Sequence, residues 1–327
     1  MNRASSRVLN RRLVTGGGLA LAASFAGFKA AGTLAQSATP EASPMAGRLL
    51  VHLRGETLVP ANPTKVIAIG DEFLLADLLD FGIRPIASSA SYGDHFIGLT
   101  TEETAGIESF TFWDADIEEL LMLGPDLFVV PDYVFAAVDG LYEILSQVAP
   151  TVSIAEDPEW ENEYRFAASI FGKEELADEL IANMNGAIES AATELNLAGQ
   201  SVSVATVYPG DPSVTLWLLP AIAHTDVLTR LGLTLTPNAA DYSVDHIGRA
   251  FLSVEQVNVI GGETLIMLQS TDQPDETTVF ETVTSDPLWQ TIPALQNDRV
   301  FISERIGFPG EVRGRIKLIE EYRAIFA

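Results

Sequence analysis

The residue types that most often carry catalysis or metal binding are few in this sequence and widely spaced. The four histidines are far apart in the chain, at His52, His95, His224 and His246, and there is no cysteine. The sequence also lacks a Gly-x-Ser-x-Gly elbow and a glycine-rich phosphate loop. These observations argue against an enzyme and against a dedicated three-histidine zinc site.

A second group of residues has chemistry that is typical of a binding site. Aromatic rings pack on flat ligands and guanidinium groups pair with ligand oxygens, and seven such residues follow or flank predicted strands. These candidate ligand-binding residues are Tyr92, Trp113, Tyr133, Tyr208, Trp217, Arg249 and Arg305. The arginines are notable because basic residues are scarce in this chain. For each aromatic residue, packing in the core or at a hinge is an open alternative.

Short apolar strands alternate with helices in the first half of the chain. The β-branched run from Lys65 to Ile69 ends at Gly70 and indicates a buried strand. The segments 117–130 and 141–154 each predict a helix, a turn and a strand. Strands separated by helices of this length indicate parallel pairing with crossover helices, so residues 49–156 are predicted to form an N-terminal α/β lobe.

The second half of the chain repeats this plan. The segment that starts at Val254 aligns without a gap with the segment that starts at Ile117, which places Glu255 opposite Glu118. Residues 197–327 are therefore predicted to form a C-terminal α/β lobe that ends in a helix over 311–326. The alternative is that any two α/β domains share such a rhythm of helix, glycine and strand.

Residues 157–196, between the two halves, have the apolar periodicity of helices. Asp157 suits the N-cap and Pro158 the first helical position, and Gly172 predicts a break between two helices. The predicted fold is thus α/β, with two Rossmann-like lobes of parallel sheet joined by a long rigid helix. Such lobes present the carboxyl ends of their strands to a ligand cleft between them. Two surface helices of one continuous domain are the alternative.

Charge and the N-terminal segment indicate an exported protein. The chain has 19 Lys and Arg against 45 Asp and Glu, a net charge of -26, which disfavours nucleic acid and anionic lipid as partners. Arg11 and Arg12 precede an apolar run rich in Ala and Gly, so residues 1–35 are predicted to be an export signal of the twin-arginine type. An ordinary secretory signal is the alternative. Residues 36–48 are predicted to be a flexible linker.

The order of these segments resembles that of the class III substrate-binding proteins of ABC importers, which capture ferric siderophores, haem or cobalamin. The resemblance rests on the helix leading into Pro125-Asp126-Leu127, on Pro150-Thr151-Val152, and on the helical segment 157–196. The segments 252–260 and 286–302 also match, and the likeness covers the chain from about Thr57 onward. The absence of a lipid-anchor cysteine departs from the form usual in single-membrane bacteria.

This resemblance implies an extracytoplasmic solute-binding protein, periplasmic or at the cell surface, that is not an enzyme and needs no cofactor. It would bind an Fe(III)-siderophore complex, a large, flat and often anionic chelate, and deliver it to an ABC transporter permease dimer. The protein is expected to be monomeric and to contact the membrane only through that permease.

The resemblance also implies roles for particular residues. Glu118 and Glu255 would each contact permease arginines, although both could be ordinary acids at helix N-termini. Haem and cobalamin remain alternative ligands, with Tyr92 or His95 as a haem-iron ligand. An extracytoplasmic sensor or an exported α/β enzyme of unrecognised chemistry remains the alternative class.

Overall fold

The structure is a computed structural model that describes residues 47–91, 95–111, 116–211, 213–270, 274–305 and 307–327. The predicted export signal and most of the predicted linker lie outside the described residues, which belong to one compact unit. Within these ranges, no helix combines the length and apolar character needed to span a membrane.

The first half forms a two-stranded hairpin and a five-stranded parallel sheet in the order β5-β4-β3-β6-β7. The hairpin consists of β1 (Gly47–His52) and β2 (Gly55–Pro60). The sheet strands are β3 (Val66–Ala68), β4 (Ala87–Ala90), β5 (Glu108–Thr111), β6 (Leu127–Pro131) and β7 (Thr151–Ile154). Every residue of β3, β4 and β7 is buried, as expected for a parallel sheet that is covered on both faces.

Helices connect these strands and carry the side chains that follow the strand ends. They are α1 (Glu72–Asp80), α2 (Thr101–Thr104), α3 (Ile117–Met122), α4 (Asp132–Ala137) and α5 (Leu141–Ser146). Asp71 caps α1, because its carboxylate accepts a hydrogen bond from the backbone N–H of Phe73 at 2.9 Å. The last residue of β6 is directly followed by α4, which places Tyr133 just beyond the sheet edge.

Two consecutive helices link the halves, α6 (Trp160–Ile170) and α7 (Glu174–Leu195). The predicted break at Gly172 is present, and its φ of +66° is a conformation that favours glycine. The helix does not begin at Pro158, with Asp157 as its N-cap, as predicted. Asp157 instead accepts the backbone N–H of Glu159 at 2.8 Å, a local turn that delays the helix to Trp160.

The second half forms a mixed sheet in the order β11-β9-β8-β12-β13, with β10 also paired to β8. Its strands are β8 (Ser201–Val207), β9 (Ser213–Trp217), β10 (Thr234–Leu235), β11 (Arg249–Ser253), β12 (Thr264–Gln269) and β13 (Val300–Glu304). The prediction of purely parallel sheets therefore needs one change, since β9 is antiparallel to β8 and β11. The connection 208–212 is too short for a crossover helix, so β8 and β9 pair as a hairpin.

The helices of the second half complete the fold. They are α8 (Ala223–Arg230), α9 (Pro274–Thr284), α10 (Pro293–Gln296) and α11 (Glu311–Phe326), with 3-10 helices at Ala239–Asp241, Val254–Val259 and Trp289–Thr291. Helix α11 packs against α7, α8 and α1, so it touches elements of both halves. One apolar cluster runs from Val66 through Met184 to Val204, and thus joins both sheets to the linking helices.

Candidate ligand-binding cleft

A cleft of about 990 Å³ lies where the carboxyl ends of parallel strands from both sheets meet. Asp71 follows β3 and Ile154 ends β7 on one side. Tyr208 follows β8, Leu268 belongs to β12 and Arg305 follows β13 on the other. Open parallel sheets bind ligands at this edge, so the position of the cleft agrees with the predicted ligand site.

The second half contributes a surface of aromatic rings and guanidinium groups, here called the aromatic wall: Tyr208, Trp217, Arg249 and Arg305. Strand register places Arg249 opposite Trp217, and its guanidinium carbon lies 6.0 Å from the centre of that ring. The guanidinium carbon of Arg305 lies 5.2 Å from the ring centre of Tyr208. Trp217 donates its indole N–H to Thr206 Oγ1 at 3.0 Å, which orients the ring.

Each arginine of the aromatic wall is held by a carboxylate of the protein. Arg249 Nε donates to Asp245 Oδ2 at 2.7 Å, and Arg305 Nη2 donates to Glu276 Oε1 at 2.6 Å. Glu276 is buried and also accepts the backbone N–H of Ser270 at 2.7 Å. These pairs fix the guanidinium groups in position and offset their charge.

The first half and the start of the linking helices contribute four carboxylates, here called the acidic wall: Asp71, Glu156, Asp157 and Glu163. Asp71 accepts a hydrogen bond from the hydroxyl of Tyr133 at 3.3 Å. Burial, together with the nearby charge of Glu72, raises the pKa of Asp71 to about 6. Burial likewise raises the pKa of Glu163 to about 7, and the charges of Glu311, Glu156 and Asp157 act in the same direction.

A network of charges at the base of the cleft connects helices of both halves. Arg315 lies 4.0 Å from the ring centre of Trp160, pairs with Asp226 Oδ2 at 2.8 Å, and also pairs with Glu311. The backbone N–H of Glu311 donates to Asp77 Oδ1 at 2.8 Å. Burial and the charge of Glu311 raise the pKa of Asp77 well above its usual range. This network joins α1, α6, α8 and α11 beneath the cleft.

Two histidines also line the cleft, His224 and His246. His224 is buried, and its Nε2 lies 3.0 Å from the carbonyl oxygen of Glu304. Burial lowers the pKa of His224 to about 4, so its ring is neutral at pH 7. Among the described residues, no group of three or more His, Asp or Glu side chains is arranged to hold a metal ion.

Five of the seven residues predicted to bind ligand line this one cleft. They are Tyr133, Tyr208, Trp217, Arg249 and Arg305. Tyr92 and Trp113 lie outside the described residues. Buried Glu72 accepts the backbone N–H groups of Ser91 at 2.9 Å and Ile97 at 3.4 Å, and so holds the chain on both sides of residues 92–94. Ligand contact by the predicted residues stays a prediction.

Sequence reasoning missed several residues of the cleft, namely Glu163, His224 and Arg315. Asp71 directly follows the predicted strand and Gly70, so it lies in a loop where the sequence predicts ligand contact. Glu163 and Trp160 were predicted as parts of a helix, but helical periodicity does not show which turn faces a cleft. Arg315 belongs to the last helix, and only the packing of α11 across both halves brings it to the site.

The two glutamates predicted to dock on a permease lie outside the lining of the cleft. Glu118 is exposed at the second position of α3, and Glu255 is exposed at the second position of the 3-10 helix Val254–Val259. The predicted helix at Glu255 is thus a 3-10 helix. The buried side chains two residues later, Leu120 and Val257, also correspond.

Comparison with known families identifies the class of protein. The family model described as periplasmic binding protein matches residues 66–304, which is more than half of the chain. The chain therefore belongs to this family, whose members bind solutes outside the cytoplasm and are not enzymes. Comparison of the sequence with curated proteins finds no match.

Solved structures of similar fold cover nearly the whole of their own chains. Staphylococcus aureus SirA complexed with staphyloferrin B has 16% identity and a TM-score of 0.70, over 85% of this chain and 98% of that chain. A periplasmic solute binding protein from Mycobacterium smegmatis has 22% identity and a TM-score of 0.68, over 86% of this chain and 97% of that chain. The catecholate-siderophore binding protein VctP from Vibrio cholerae has 19% identity and a TM-score of 0.63, over 86% and 99%. These likenesses establish the two-lobed fold.

Proposed function

We propose that this protein captures a ferric siderophore outside the cytoplasm and delivers it to an ABC transporter permease. The observation that carries the proposal is the cleft of about 990 Å³ between two α/β lobes, in a member of the periplasmic binding protein family. Its volume suits a ligand larger than an amino acid or a simple sugar. Its rings and guanidinium groups suit the flat, oxygen-rich surface of a metal chelate.

The names of the structural relatives support the same class of ligand. SirA was solved with staphyloferrin B, and VctP is described as a catecholate-siderophore binding protein. Binding would be non-covalent and would require no cofactor. The transporter's ATPase would supply the energy for uptake.

Further parts of the proposal concern the organisation of the chain. Residues 1–35 act as an export signal, residues 36–48 as a linker, and the lobes 49–156 and 197–327 are joined by the helical segment 157–196. The protein acts as a monomer on a dimeric permease. Glu118 and Glu255 each dock on one permease subunit, which their exposure and their equivalent positions in the two halves support.

Tryptophan fluorescence of the purified protein tests the proposed ligand class, because Trp160 and Trp217 line the cleft. Ferric catecholate, hydroxamate and carboxylate siderophores, their iron-free forms, haem and cobalamin are titrated separately. We expect saturable one-to-one quenching by one class of ferric siderophore. Quenching by haem or cobalamin alone, or by none of the panel, would contradict the proposal.

Two matched variants test whether the fluorescence quenching comes from the cleft. Trp217→Phe should remove a large part of the quenching, because this ring belongs to the aromatic wall. Trp289→Phe is the control, since Trp289 is buried in a separate apolar cluster of the second sheet. Equal loss in both variants would show that the quenching does not report on the cleft.

A further inference from the structure

The described residues that line the cleft carry more negative than positive charge. Six carboxyl groups line it, at Asp71, Asp77, Glu156, Asp157, Glu163 and Glu311, against three guanidinium groups, at Arg249, Arg305 and Arg315. Asp77 has a pKa well above its usual range, and without it five carboxylates still outnumber the three guanidinium groups. A site built for a polyanion is expected to show the opposite balance, because each uncompensated carboxylate repels such a ligand. This excess of carboxylates over guanidinium groups disfavours a strongly anionic ligand.

The three guanidinium groups are already paired within the protein. Their partners at Asp245, Glu276 and Asp226 lie 2.7, 2.6 and 2.8 Å away and are not part of the cleft lining. An anionic ligand that approaches them therefore meets ion pairs and not free cations. Their planar faces remain suited to packing against a neutral chelate surface, as their positions over Tyr208 and Trp217 show.

The acidic wall has no such compensation. Within the described ranges, Asp71, Glu156, Asp157 and Glu163 form no ion pair with Lys, Arg or His. Their hydrogen bonds come from neutral donors, such as the Tyr133 hydroxyl to Asp71 and the Asp157 backbone N–H to Glu163. The two faces of the cleft are thus chemically different, one acidic and the other built of rings and paired arginines.

The rest of the chain strengthens this polarity. The chain as a whole has a net charge of -26. Such a field repels anions and draws cations toward the cleft from solution.

We propose that the cleft selects a ferric chelate that is neutral or positively charged overall, and that a cationic group of this ligand lies against the acidic wall while the iron-bearing part packs on the aromatic wall. This inference rests on the proposed function and narrows it. The arginines in the sequence suggested an anionic chelate. Such a ligand does not suit this cleft, because carboxylates outside the cleft lining already pair with Arg249 and Arg305.

The charge of the common chelating groups turns this into a choice among ligand classes. Three hydroxamate groups, each singly charged, neutralise Fe(III), so a ferric tris-hydroxamate with a free terminal amine is a cation at pH 7. Three catecholate groups, each doubly charged, leave a ferric complex that is strongly anionic. The cleft therefore favours an amine-bearing hydroxamate over a tris-catecholate.

The test compares three ligands by fluorescence titration of the purified full chain at pH 8. They are a linear ferric tris-hydroxamate with a terminal ammonium group, the same chelate with that amine acetylated, and a ferric tris-catecholate. Acetylation removes the charge and leaves the iron coordination unchanged. We expect the ammonium form to bind about tenfold more tightly than the acetylated form at low ionic strength, with a smaller ratio at high salt. The tris-catecholate should bind most weakly.

Variants of the acidic wall connect the preference to the structure. Glu156→Gln combined with Glu163→Gln should reduce the ratio of affinities for the two hydroxamates to about two, chiefly because the ammonium form binds less tightly. Glu189→Gln, at an exposed position on α7, is the control and should leave the ratio unchanged. A ratio that persists in the double variant would overturn the assignment to the acidic wall.

The outcomes separate this inference from the proposed function. Tighter binding of the tris-catecholate, or equal binding of the two hydroxamates, would overturn the charge preference while ferric siderophore capture stands. Failure of all three chelates to bind would overturn the charge preference, and the wider panel of ferric siderophores described above would then decide whether the proposed function stands.

Discussion

Glu163 is a carboxylate whose ionisation is opposed by its surroundings. Burial raises its pKa from an ordinary value of 4.5 to about 7, and the nearby acids Glu311, Glu156 and Asp157 act in the same direction. The folded protein therefore holds the Glu163 proton more tightly than the unfolded chain does. As pH rises from about 4.5 to about 7, the unfolded chain ionises first, so this residue lowers the stability of the fold progressively and does so fully above pH 7.

Replacement of Glu163 by Gln should therefore stabilise the protein in a pH-dependent way. The Gln side chain retains the acceptor for the Asp157 backbone N–H and removes the charge. We expect the free energy of unfolding to increase by roughly 1 kcal/mol at pH 8, allowing for partial solvent screening, and to change little at pH 4. Urea denaturation at both pH values measures the difference.

An exposed acid on the neighbouring helix provides the control for that experiment. Glu179→Gln should change the free energy of unfolding by less than about 0.5 kcal/mol at either pH. An effect of Glu163→Gln that is equal at pH 4 and pH 8 would show that ionisation of this residue is not what destabilises the fold. A carboxylate kept at such a cost in a ligand cleft is typical of a functional position.

The proposed docking residues Glu118 and Glu255 lie in the first turn of two short helices, α3 and the 3-10 helix Val254–Val259. The backbone N–H of Glu118 donates to the Asp116 carboxylate at 2.9 Å, and the backbone N–H of Ser253 donates to Gln256 Oε1 at 3.2 Å at the start of the second helix. Each glutamate thus projects from a capped helical turn, at matching positions in the two halves. Both lobes therefore offer a permease the same kind of contact, an exposed carboxylate that can pair with an arginine.

The double variant Glu118→Ala with Glu255→Ala should lower uptake of the ferric ligand by cells about tenfold without a change in ligand affinity. The reason is that both residues are outside the cleft but would supply the charge that orients the complex. Uptake of iron-labelled ligand and titration of the purified protein measure the two effects. Glu119→Ala is the matched control, as an exposed acid of the same helix. Weaker ligand binding by the double variant, or normal uptake, would contradict the docking role.

Element types were more predictable than their boundaries. The strand over Ser201–Val207, the break at Gly172 and the helix over Glu311–Phe326 follow from local periodicity and glycine, and the structure contains all three. The predicted start of α6 was wrong because the Asp157 side chain accepts a hydrogen bond within a local turn. Aspartate favours such turns as well as helix N-caps. The prediction of parallel sheets missed that β9 runs antiparallel to both of its neighbours, β8 and β11.

The two halves of the molecule repeat one arrangement. In the first sheet β3 pairs with β6 and β6 with β7, and in the second β8 pairs with β12 and β12 with β13, all parallel. The Asp126 carboxylate accepts the backbone N–H of Lys65 at 2.9 Å, at the start of β3. Glu263, its counterpart in the sequence alignment, accepts that of Ser201 at 3.1 Å, at the start of β8.

The position of the site could be predicted from the sequence, but its charge could not. The strand ends could be read from the sequence, so Tyr133, Tyr208 and Arg305 were expected near one another, and the structure places them in one cleft. The charge of the cleft could not be read, because it depends on which carboxylates face the arginines. Asp226, Glu276 and Asp245 come from three separate segments, and only the packed structure shows that they neutralise the cleft's guanidinium groups.

The location of iron in a complex with ligand tests whether the cleft is the site of ferric siderophore capture. Crystals grown with the ferric siderophore that binds best would be measured at the iron absorption edge, where anomalous scattering identifies the metal. We expect one iron atom per chain in the cleft, between the aromatic wall and the acidic wall. Iron bound elsewhere on the surface, or a cleft without iron at saturating ligand, would contradict it.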